Sequence, residues 1–120
     1  MQITRCLHAA ILVSDLERAE QFYGTVLGLA KIDRPLKFPG IWYEIEGFQI
    51  HLITASQIPD HLVDPEKWGR NRHLAFSVAD LETAKAQLLA HQCPIQMSAS
   101  GRAALFTQDP DGNLIELSQG

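Results

Sequence analysis

A shift of 65 residues brings this chain onto itself. His8 falls on His73, Ala10 on Ala75, Val13 on Val78, Asp15 on Asp80, Leu16 on Leu81, Glu17 on Glu82 and Ala19 on Ala84. Seven of the twelve positions from His8 to Ala19 are therefore identical. The same shift carries Gly47 to Gly112, Ile50 to Ile115 and Leu52 to Leu117. Two similar helix starts would explain a match at Asp15 and Asp80, because Asp is a favoured N-cap. They would not explain a hairpin matching at the same offset. One gapless offset that aligns both ends of a unit argues for two copies of one module. With 120 residues, 46% of them hydrophobic, the chain can bury one real core.

Each copy reads as β-α-β-β-β. Thr4 to Val13 alternates as a strand, and Ser14-Asp15 opens a helix with Leu16, Ala19, Tyr23 and Val26 at helical spacing, stopped by Gly28. Strands follow at Leu29–Arg34, Ile41–Ile45 and Phe48–Thr54, the last two joined through the tight turn Glu46-Gly47. The second copy repeats this with a strand His73–Val78, a helix from Asp80 to about Ala90, and strands Pro94–Met97, Arg102–Thr107 and Asn113–Ser118. Between the copies, Pro59, Pro65 and Gly69 mark a linker or covering loop. The expected layout is a single domain, 1–120, made of module 1–56 and module 70–120 joined by loop 57–69. On the first strand Leu7, Ala9, Ile11 and Val13 form an apolar row, matched by Leu74, Phe76 and Val78. Such rows bury beneath the helices, leaving His8 and His73 on the opposite face.

The offset also pairs His51 with Glu116. Each copy thus carries two ligand-type residues, His8 and His51 in the first, His73 and Glu116 in the second. One histidine alone is an ordinary core or surface residue; four symmetry-matched positions point to a metal site. Nitrogen-rich ligation favours Ni, Co, Zn, Fe or Mn over Ca or Mg. Three or four protein ligands leave positions for substrate, a catalytic layout. His61 and His91 have no repeat partners and read as structural or solvated, His91 suiting a helix C-terminus. A net charge of -4 argues against nucleic acid as a partner. The expected partner is a small-molecule substrate. Nothing in the sequence suggests a membrane span or a signal peptide. Cys6 and Cys93 read as free thiols of a cytoplasmic protein.

His8 with Val13-Ser14-Asp15-Leu16, Phe22-Tyr23-Gly24 leading to Leu27-Gly28-Leu29, Arg72-His73 through Asp80, and Asp109-Pro110-Asp111-Gly112 through Glu116-Leu117 together resemble the vicinal oxygen chelate superfamily. This is the group of glyoxalase I, bleomycin-resistance proteins, fosfomycin-resistance enzymes and extradiol dioxygenases. The resemblance implies an α+β fold of two βαβββ modules forming a cupped, partly open mixed β-barrel with helices outside. It implies a divalent metal on His8, His73 and Glu116. The fourth family position, where glyoxalase I carries a carboxylate or Gln, is His51 here. The leading expectation is a glyoxalase I-like lyase or isomerase acting through an enediolate-like intermediate, with Glu116 as catalytic base. Arg72 and Arg102 are candidates to hold an anionic substrate, and a thiol such as glutathione is a candidate cosubstrate. Alternatives are an extradiol-type dioxygenase, a thiol transferase of the antibiotic-resistance type, and a drug-binding protein without chemistry. The N-terminal strand, with Arg5 as its only charge, reads as an edge that invites a partner. A twofold homodimer is expected, with His8 and His51 from one subunit meeting His73 and Glu116 of the other.

Overall fold

Alternation along the first strand, β1 (His8–Val13), translates directly into burial. Ile11 and Val13 are buried, while His8, Ala10 and Leu12 are exposed on the other face. The computed structural model describes residues 1–59 and 62–120. The chain divides into two compact units, Met1–Ile58 and Pro59–Gly120.

In the first unit β1 is followed by helix α1 (Leu16–Glu20), then β2 (Ala30–Ile32), β3 (Gly40–Ile45) and β4 (Phe48–Thr54). They form one mixed sheet in the order β1-β4-β3-β2, with β1 parallel to β4 and the other pairings antiparallel. The second unit opens with a tight helical turn at Trp68–Arg70. It continues with β5 (Leu74–Val78), α2 (Leu81–Ala90), β6 (Ile95–Met97), β7 (Ala104–Gln108) and β8 (Leu114–Gln119). Its sheet runs β5-β8-β7-β6, again with only the first pair parallel. These are two βαβββ modules of an α+β fold. The repeat extends to register: Ala10 lies opposite His51, and Ala75 opposite Glu116.

The helices start where their caps dictate. Asp15 Oδ1 accepts from the backbone N–H of Glu17 at 2.9 Å and of Arg18 at 3.2 Å. Asp80 Oδ1 does the same for Glu82 at 3.0 Å and Thr83 at 3.4 Å. Each satisfies donors that the first turn leaves open. The α1 helix packs on β3 and β4, and α2 on β6 and β8. Ala19, Leu81 and Leu88 are buried from the helices, with Ile50, Leu52, Ile115 and Leu117 beneath from the sheets. Full burial of one such aliphatic side chain contributes about 1.5–3 kcal/mol.

Three details differ from the sequence reading: Leu7, expected in the apolar row beneath the helix, lies before β1 and is exposed, and two elements have other bounds. The first helix does not run regularly to Gly28. It widens into a π-helical turn at Gln21–Val26, where the Leu27 N–H reaches back five residues to the Phe22 carbonyl at 2.9 Å. The wider turn puts the adjacent Phe22 and Tyr23, as well as Val26, in the core together. The first strand begins at His8 rather than Thr4, because its partner β4 offers pairing only from Gln49 to Thr54. The hairpin at Glu46-Gly47 is as expected: φ is +48° and +82° at the two residues, the left-handed pair that a two-residue turn requires. Both cysteines are free thiols. Among the described residues no helix is long and apolar enough to cross a membrane.

Candidate metal centre

Strand β8 places Glu116 between Leu114 and Ser118 on one face, and leaves it only 6% exposed. A buried carboxylate is costly unless it is met by donors or cations. Ser118 Oγ donates to its Oε2 at 2.8 Å, and Arg102 Nη2 lies 3.4 Å from the same oxygen. The other oxygen, Oε1, is 3.1 Å from His73 Nε2. His73 precedes β5, and its Nδ1 is 2.7 Å from the carbonyl oxygen of Asn71. A carbonyl can only accept, so Nδ1 carries the proton. In neutral His73 the Nε2 lone pair then faces carboxylate lone pairs. That arrangement is stable only with a cation, a proton or a metal ion, between them. Two donors bound at about 2.0–2.2 Å to one ion, with bond angles near 90–110°, stand roughly 3.0–3.4 Å apart. The observed 3.1 Å fits. The hydrogen bond fixing the remote nitrogen is also what a ligating histidine requires.

Asn71 itself is buried and is the anchor of the preceding loop. Its Oδ1 accepts from the N–H groups of Val63 at 2.6 Å and Asp64 at 2.9 Å. Its Nδ2 donates to the carbonyls of Asp64, Trp68 and Lys67 at 2.8, 3.1 and 3.3 Å. Phe106 lies opposite Glu116 on β7 and meets the His73 ring edge-on at 5.3 Å.

The first unit builds a different pair. His51 on β4 is flanked by Trp42 on β3 and by His8 on β1. Its ring stacks on Trp42 with centroids 4.0 Å and planes 5° apart, and on His8 with centroids 4.0 Å and planes 13° apart. His51 Nε2 is 2.8 Å from Gln49 Oε1. Beyond Trp42, the Arg34 guanidinium lies 5.8 Å from the indole centroid. Burial, followed by the nearby His8 and Arg34 charges, pushes the His51 pKa below the ordinary imidazole value, so His51 favours its neutral form.

The expected ligands therefore come together as two pairs, one in each unit. Among the described residues no three His, Cys, Asp or Glu side chains cluster to hold an ion. Arg102, expected to receive substrate, is 58% exposed and is engaged with Glu116 and with Ser100 Oγ, 3.0 Å from its Nε. Arg72 is exposed. His91 is the exposed C-cap of α2, and His61 lies outside the described residues. Trp42, Phe106 and Asn71 are the site residues that sequence reasoning missed. The signal for the two aromatics was their place on the strand paired with each ligand-bearing strand.

The family model for the glyoxalase/bleomycin resistance protein/dioxygenase superfamily matches residues 5–117. The chain belongs to this superfamily. Within it the chain is similar to Glyoxylase I 4 of Arabidopsis thaliana, 30% identical over 132 residues that take in 98% of this chain and 71% of the other. It is 29% identical over 128 residues to a probable lactoylglutathione lyase of Vibrio cholerae, covering 96% and 90% of the two chains. The fold of the fosfomycin resistance protein FosX from Listeria monocytogenes superposes with a TM-score of 0.80 over 99% of this chain and 94% of that one, at 16% identity. The last likeness concerns the superfamily fold alone.

Proposed function

We propose that this superfamily member is a metal-dependent enzyme of the vicinal oxygen chelate type, a glyoxalase I-like lyase or isomerase. Its substrate would be a small molecule with two neighbouring oxygens, such as a thiol adduct of a dicarbonyl. The observation that carries the reading is the His73–Glu116 pair, whose facing lone pairs 3.1 Å apart call for a proton or a metal ion between them, and a metal ion fits the superfamily. Similarity to a probable lactoylglutathione lyase supports the substrate class and glutathione as the thiol. His8, His73 and Glu116 would hold a divalent first-row ion, which when bound supplies the Lewis acidity that polarises the substrate oxygens. Glu116, loosened from its place beside His73, would take a proton from substrate carbon on Oε1 and return it to the neighbouring carbon, while the substrate's hydroxyl proton passes to the neighbouring oxygen. Ser118 and Arg102 hold Oε2 during that transfer, and the Asn71 carbonyl keeps His73 in one tautomer.

The protein would work as a twofold homodimer. The β1 strand is at the edge of its sheet, and Leu7 and Leu12 are exposed on either side of His8. Sharing each site between subunits gives that apolar edge a cover.

The test begins with metal analysis of the purified protein and turnover of the methylglyoxal–glutathione adduct after loading with Ni, Co, Zn, Fe or Mn. His73→Ala and Glu116→Gln are each expected to lower turnover on the order of hundredfold or more. Absence of both retained metal and turnover with every ion would refute the assignment. Mixing His8→Ala with Glu116→Ala subunits is expected to restore activity through one intact shared site per heterodimer. No recovery after demonstrated subunit exchange would refute sharing.

A further inference from the structure

On the reading that this is a metal enzyme, we propose that His51 is a positioning residue for His8 and not a ligand. An imidazole nitrogen binds a metal in the plane of its own ring. The His8 and His51 rings lie in planes only 13° apart with centroids 4.0 Å apart. Planes so nearly parallel meet far beyond a metal–nitrogen bond of about 2.0–2.1 Å. One ion therefore cannot take in-plane lone pairs from both rings while the stack persists.

Leaving the stack would cost His51 two partners. Its far face rests on Trp42 at 4.0 Å, with planes 5° apart, and Trp42 is itself covered by the Arg34 guanidinium. Its Nε2 is bonded to Gln49. Among the described residues His8 has one ring neighbour, His51, and the His8 residue is exposed. His8 is therefore the ring able to point its nitrogen at an ion, and Arg34, Trp42 and His51 form the layered wall against which it is set. The second module holds its histidine by a different device, the Asn71 carbonyl at Nδ1 and the edge of Phe106. Three protein donors rather than four leave the ion one more position for the second oxygen of a chelating substrate.

The experiment uses wild-type protein labelled with nitrogen-15 in histidine and titrated with Zn2+ alone, with ring nitrogen shifts read by NMR. Nitrogens of His8 and His73 are expected to move on binding, while both His51 nitrogens keep their metal-free shifts to within a few parts per million. Zn2+ affinity of three variants completes the test. His51→Phe, which keeps a flat ring in the stack, is expected to stay within about threefold of wild type. His51→Ala, which removes the layer, should weaken binding about tenfold, as loss of a ligand's support does. His8→Ala should weaken it more than either. A metal-bound shift at His51, or a loss in His51→Phe equal to that in His8→Ala, would overturn the proposal. No shift at any histidine would instead overturn the metal reading itself.

Discussion

Asn71 is the residue whose removal should be felt most widely. Its amide has two lone pairs and two hydrogens, and all four are used: two backbone N–H groups reach Oδ1, and Nδ2 serves three carbonyls. At about 0.5–1.5 kcal/mol net per hydrogen bond, four such capacities amount to roughly 2–6 kcal/mol. Val63, Pro65, Glu66 and Lys67 are exposed, so water can replace some of these bonds once the amide is gone. Asn71→Ala is therefore expected in the lower half of that range, about 2–4 kcal/mol destabilising. Urea unfolding followed by fluorescence of Trp42 and Trp68, with a slope near 1–3 kcal/mol/M, should show the midpoint fall by roughly 1–2 M. Asn71→Asp sharpens the test. Its new carboxylate would face carbonyl oxygens and could sit there comfortably only when protonated. Its folded-state pKa is then raised above the unfolded one, so the variant should be least stable near neutral pH and recover as pH falls. A loss below about 0.5 kcal/mol in Asn71→Ala, the floor for a single hydrogen bond, or Asn71→Asp stability indifferent to pH, would refute the account of the loop.

A Cβ at position 69 would stand 2.8 Å from Phe106 Cζ, and Phe106 is buried against His73. Gly69→Ala should cost about 1–3 kcal/mol in thermal unfolding and also weaken metal binding by displacing Phe106. The Tyr43 hydroxyl is buried and has no hydrogen-bond partner among the described residues, so Tyr43→Phe should stabilise the protein by about 1 kcal/mol. Burial and the nearby Glu20 push the Tyr43 pKa from 10.0 up to about 12. The unfolded chain gives up that proton first, so wild-type stability should fall as pH rises from about 10 to about 12, and Tyr43→Phe should lack this loss in denaturant titrations. Asp80→Ala removes the cap of α2 and should cost about 1 kcal/mol, measurable as a shift in the urea midpoint.

The two-module plan was legible because its signals are local. Strand alternation, N-cap aspartates and turn residues act within a few positions, and a repeat doubles each of them. His8, His51, His73 and Glu116 emerged from that pattern as candidate ligands. Pairing between strands was not legible in the same way. A gapless shift of 65 sets Trp42 against Thr107, yet in the fold Trp42 lies opposite His51 and Phe106 opposite Glu116. The turn from Asp109 to Asn113 is longer than Glu46-Gly47, and it slips β7 by one residue relative to the repeat. That slip decides which aromatic meets which ligand-type side chain. Asn71 likewise reads as an ordinary loop residue until the loop closes around it. The plane of the His51 ring depends on Trp42 and His8 arriving from two other strands. A side chain's type is carried by the chain, but the direction of its lone pair is set by neighbours that only tertiary packing supplies.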